Sequence, residues 1–120
     1  MAYDEELAER VRASLAHVPG VAEIKMFGGL CYTVGGNMAV GVNGEDLLVR
    51  LAPDDGDAAL TEPGVRLMQV GSRTSRGWLS VAPEATATAR TLQGWVDRGV
   101  AFASSLPLKR PKAKKPKPKA

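Results

Sequence analysis

Residues 30–51 read LCYTVGGNMAVGVNGEDLLVRL, and the fold class follows from them. Leu30, Tyr32 and Val34 alternate with Cys31 and Thr33. Gly35-Gly36 then supplies a two-residue turn. Met38, Val40 and Val42 alternate with Ala39 and Gly41, and Asn43-Gly44 comes next. Asn-Gly is a strong short-range hairpin signal, because a type I′ turn needs positive φ at both central positions. Leu47, Val49 and Leu51 complete a third alternating run. Three strands joined by two tight turns predict an antiparallel meander with one face buried.

Upstream, Asp4 suits a helix N-cap, and Glu5 and Glu6 suit the positive end of the helix dipole. Leu7, Ala8, Val11, Leu15 and Val18 keep helical spacing until Pro19-Gly20 stops it, which predicts a helix over 4–17. Downstream, Pro53 to Asp57 reads as a loop with a short helical turn at 58–60. Val65–Val70 and 77–82 read as two further strands, separated by a polar loop at 71–76. The last element is a helix from Thr88. Its stripe of Leu92, Trp95, Val96, Gly99, Phe102, Ala103 and Leu106 ends at Pro107. Gly99 lies on that stripe, which predicts a close approach to the sheet. Helix, five strands, helix is the order. The economical packing is an α+β, two-layer domain: an antiparallel sheet of about five strands with both helices on one face.

The charge is divided between two parts of the chain. The 120 residues hold 16 Lys/Arg and 13 Asp/Glu, a net +3. Seven of the cations and none of the acids lie in residues 107–120, PLKRPKAKKPKPKA. The tail therefore carries +7, and residues 1–106 carry −4. A Lys/Pro/Ala segment has almost nothing apolar to bury, so the expected organisation is a folded domain over 1–106 and a disordered basic tail over 107–120. Lys109, Arg110, Lys112, Lys114, Lys115, Lys117 and Lys119 are the candidate nucleic-acid contacts. If all seven met duplex phosphates, the log–log salt slope would reach about −6. Such binding to DNA or RNA is non-specific, because nothing in the tail reads base edges. The plainer reading is a solubilising terminus.

Signals for catalysis are sparse. His17 is the single histidine and sits at a helix end, where a cation meets the dipole. Cys31 is the single cysteine, set among apolar neighbours, and reads as inert packing. Asp54, Asp55 and Asp57 cluster without the calcium-loop spacing and read as a solvated loop. The glycines between 28 and 44 lack both the dinucleotide and the P-loop pattern. No catalytic residue, metal or cofactor is assigned. Arg66, Arg73 and Arg76 form a candidate anion patch, against the simpler reading of a solvated hairpin tip. The acidic N-terminus is unlike a secretory signal, and no apolar run suits a membrane span. The chain reads as cytoplasmic with no membrane partner.

One family resemblance adds to this. Met26-Phe27-Gly28-Gly29, continuing as Leu30-Cys31-Tyr32, then Asn37-Met38 and Leu47-Leu48-Val49-Arg50, resembles the TfoX N-terminal domain family. Arg76-Gly77-Trp78-Leu79-Ser80-Val81 and the run from Leu92 to Ala103 extend the similarity over about residues 5–106. The resemblance implies a small α+β domain of the type found in TfoX/Sxy regulators of natural competence, which act with a cyclic-AMP-receptor-type activator at promoters. Where those regulators carry a second, C-terminal domain, this chain has its basic tail. The function expected is a non-enzymatic regulatory module that binds a protein partner, with the tail attracting nucleic acid. The competing expectations are a self-associating protein-interaction domain, as a homodimer, with a merely solubilising tail, and an enzyme or small-ligand binder that uses Gly28, Gly29 and the arginines.

Overall fold

Helix α1 (Glu5–Ser14) begins where Asp4 caps it. The Asp4 Oδ1 accepts from the backbone N–H of Glu6 at 2.9 Å and of Leu7 at 3.1 Å. The computed structural model describes residues 3–26, 29–70 and 73–106. Within them, α1 is followed by strands β1 (Val21–Met26), β2 (Gly29–Val34), β3 (Asn37–Asn43) and β4 (Asp46–Arg50), then helix α2 (Pro53–Ala59). Strands β5 (Val65–Val70) and β6 (Arg73–Val81) come next, with a 3-10 turn at Pro83–Thr86 and helix α3 (Ala89–Ser105). Thr88 caps α3 reciprocally with Thr91, each side chain taking the other's backbone N–H.

The sheet is antiparallel and has six strands in the order β1-β2-β3-β4-β6-β5. The α+β class holds, with one strand more than the sequence predicts. That strand is β1, whose run Val21 to Met26 interleaves Glu23 and Lys25 with apolar residues. β1 to β4 form the meander. Gly35 and Gly36 take φ of 60° and 84°, as the two-residue turn requires. The second turn falls one residue later than the Asn-Gly signal suggests. Asn43 still pairs with Asp46, so Gly44 and Glu45 make the corner.

Three further expectations are corrected. The loop at 53–57 is the body of α2, with Pro53 in its first turn beside Asp54 and Asp55. The polar loop at 71–76 is shorter, because β6 starts at Arg73 and pairs with Val70. The chain also does not meander from β4 to the next strand. It passes through α2 to the sheet edge, and β6 returns between β4 and β5.

The core lies between the sheet and the helices. Leu7, Val11 and Leu15 from the α1 side and Leu92, Trp95 and Val96 from α3 meet Leu30, Tyr32, Val40, Val42, Leu47, Val49, Leu79 and Val81. Burying each such side chain contributes about 1.5–3 kcal/mol. Gly99 brings α3 onto β3: a Cβ there would stand 2.4 Å from the Ala39 carbonyl oxygen. α2 lies on the same side, with Ala59 in the core and Glu62, just beyond it, bridged at 3.0 Å by Arg98 of α3. Among the described residues no helix is long and apolar enough to cross a membrane.

Candidate interaction surface

The pleat that sends Leu30, Tyr32, Val40 and Val49 toward the helices sends their neighbours the other way. One row crosses all six strands on that second face. Ile24 stands opposite Cys31, Cys31 opposite Gly41, Gly41 opposite Leu48, Leu48 opposite Ser80, and Ser80 opposite Arg66. No described helix packs here. The face instead holds a groove of about 750 Å³, lined among others by Ile24, Cys31, Met38, Leu48, Met68 and Trp78. Gly41 keeps its floor low, since a Cβ would meet the Leu30 carbonyl oxygen at 2.6 Å. Cys31 and Ser80 are 5% and 7% exposed although no helix covers them, so the neighbouring strands supply the walls.

The groove ends are polar. At one end Asp46 accepts from Arg66 Nη2, and from Ser80 Oγ at 2.9 Å. At the other, the Arg50 guanidinium lies over the Trp78 ring, 4.7 Å from its centroid, and 5.3 Å from that of Phe102. Such contacts contribute about 0.5–2 kcal/mol and hold a flexible cation in place. No carboxylate pairs with Arg50 among the described residues. The guanidinium carbon sits over both rings, and its N–H donors lie in the guanidinium plane.

The other candidate residues lie elsewhere or have partners. Burial pushes the Cys31 thiol up, which opposes the thiolate form that a nucleophile needs. His17 is exposed in the turn after α1. Asp54 and Asp57 both pair with Arg76, at 2.9 and 2.7 Å, and this hydrogen bonding raises the Arg76 pKa. Arg66 and Arg76 thus each face carboxylates, Asp46 in one case and Asp54 with Asp57 in the other. Gly29 begins β2, paired with Met26 across the hairpin. Phe27, Gly28, the Arg73 side chain and the tail cations Lys109 to Lys119 lie outside the described residues. No group of three metal-ligating side chains occurs among the described ones.

The groove itself is absent from the sequence expectations. Its signal is present in part: Cys31 and Leu48 are apolar on the face that a one-sided meander should leave polar, whereas Met38, in phase with Val40 in the sequence, reaches the groove through the register shift opposite Tyr32 and Thr33.

Against known proteins, a family model described as the TfoX N-terminal domain matches residues 13–103. That span runs from the end of α1 through most of α3 and takes in the whole sheet. No curated protein and no solved structure matches the chain.

Proposed function

The chain belongs to the TfoX N-terminal domain family, and from that membership we propose a non-enzymatic regulatory module of the interaction type. Its folded body binds a protein partner across the groove, and its tail adds electrostatic attraction to DNA or RNA. The observation that carries the first half is the uncovered apolar floor of Leu48, Met38, Met68 and Trp78 with Arg50 fixed at one end. A concave apolar floor with a few polar groups at its ends is the form that binding sites commonly take. Flexible Met side chains and a stacked Arg are typical of recognition surfaces. The charge division carries the second half.

A photo-crosslinking amino acid tests the groove. Placed at Leu48 in the native host, it should capture one discrete protein. The same probe at exposed Arg90 of α3 should capture only background. Equal patterns from both positions would remove the groove from the reading.

A further inference from the structure

A second surface, which shares only Ile24 with the groove and does not depend on its proposed role, lies at the sheet edge. β1 is paired by β2 on one side and by no described strand on the other. Ala22, Glu23, Ile24 and Lys25 are all exposed. Ile24, at 43%, is the one exposed large hydrophobic side chain among the described residues. An edge of unpaired N–H and C=O groups is a template for another strand.

The order Glu23-Ile24-Lys25 makes this edge complementary to itself. When a second copy of β1 runs antiparallel with Ile24 opposite Ile24, Glu23 of each copy faces Lys25 of the other. The two isoleucines then meet on the groove side, level with Cys31. Both charge pairs fall on the helix side, level with Tyr32 and Leu30. A slip of two residues in either direction sets Glu23 against Glu23 or Lys25 against Lys25. A slip of one joins the helix face of one copy to the groove face of the other, which no two-fold axis allows. One register alone therefore satisfies the charges, and directly opposed charges on neighbouring strands count for or against pairing.

The side chains are prepared for this. Arg12 Nε and Nη2 hold the Glu23 carboxylate at 2.7 and 3.0 Å. Hydrogen bonding from Arg12 keeps Glu23 below the usual carboxylate range, while its side chain stays 36% exposed. Lys25 makes no ion pair among the described residues. The opposite edge offers no such match, because Arg66 to Gln69 of β5 contains no acid.

We propose that the β1 edge is a homodimer interface, with β1 antiparallel to β1 of a second copy, Ile24 opposite Ile24 and Glu23 opposite Lys25. The two sheets become one, and the two-fold axis closes the assembly at a dimer.

Sedimentation velocity of the full chain, over roughly three decades of concentration, should show a reversible monomer–dimer equilibrium. Lys25→Glu removes no described ion pair and sets like charges together at both positions, so it should weaken the dimer at least about tenfold. Glu23→Lys should do the same. Mixed in equal amounts, the two variants restore opposite charges at both pairs and should form a heterodimer of parental strength. A chain that stays monomeric, a Lys25→Glu variant that dimerises like the parent, or a mixture no tighter than its components would each overturn the interface. Glu23→Lys also loses Arg12, so its fold is checked by circular dichroism. Hydrogen exchange of the parent provides the second measurement: outward-facing amides in residues 22–25 should exchange more slowly at high concentration, and unchanged exchange would overturn the proposal as well. Crosslinking from Leu48 should be indifferent to Lys25→Glu, so failure here and failure at the groove remain distinguishable.

Discussion

Tyr32 shows how one residue joins the core to the surface. It is 1% exposed, and its hydroxyl reaches toward the Ala8 carbonyl oxygen at 3.5 Å, a weak hydrogen bond. Burial first and the nearby Glu23 carboxylate second push its phenol up to about 12, from an ordinary 10. The folded state therefore holds the Tyr32 proton where the unfolded chain has lost it. The stability linked to this residue is fully present below pH 10 and is lost as pH rises from 10 toward 12, at about 1.4 kcal/mol per pH unit. In Tyr32→Phe that part of the alkaline slope should vanish, while stability at pH 7 falls by about 1–2 kcal/mol, because a long hydrogen bond to Ala8 and one to the Glu23 carboxylate are given up. Urea midpoints across the alkaline range measure both. An unchanged slope in the variant would refute the assignment to Tyr32.

At the scale of elements, the legible parts are those with strong local punctuation. Asp4 and Thr88 mark helix starts, Gly35-Gly36 marks a turn, and β2 to β4 read as strands from their branched and apolar runs, although only β4 alternates in burial. β1 escapes a sequence reading although Ala22, Ile24 and Met26 alternate with Glu23 and Lys25, because the run is short and, as an edge strand, buries little. α2 escapes it because Pro, Asp and Gly are turn residues, although Pro followed by two acids also suits a first helical turn. What decides for helix is tertiary. Gly56 lies against β6, where a Cβ would stand 2.5 Å from Gly77 Cα and 2.9 Å from Gly77 N. β6 bulges there, with residues 75–78 opposing Met68 alone. Two effects compete in Gly56→Ala. Helix propensity gains about 1 kcal/mol. Overpacking against backbone that cannot rotate away costs about 1–3 kcal/mol. The second should win, leaving the variant less stable by up to about 2 kcal/mol in urea unfolding. Gly94→Ala in α3 is the contrast, since its Cβ would meet nothing within 4 Å. That variant should gain about 0.5–1 kcal/mol. A stabilising Gly56→Ala would mean that α2 does not seat on the bulge.

For the whole molecule, composition is more informative than pattern about function, and less informative about strand order. Nothing local announces that β6 lies inside β5, although the groups that β5 turns outward, Arg66 and Gln69, suit an edge. The division of charge needs no fold to be read. A body of −4 repels polyanions and a tail of +7 attracts them. Deleting residues 107–120 inverts the net charge from +3 to −4, while every buried hydrophobic residue described lies at or before Ala103. The truncated chain should therefore unfold at the same urea midpoint as the full chain, within about 0.5 kcal/mol. Its affinity for polyanions should behave quite differently. In fluorescence anisotropy with labelled duplex DNA, the full chain should bind at low salt and lose most of that affinity at physiological salt, because each released counterion adds to the slope. The shortened chain should not bind at either salt. Single-stranded RNA should show the same pattern with a shallower slope, since its phosphates condense fewer counterions. Binding that survives truncation would move the nucleic-acid contact onto the folded body, and Arg50, stacked but without a carboxylate partner among the described residues, would be the first side chain to replace.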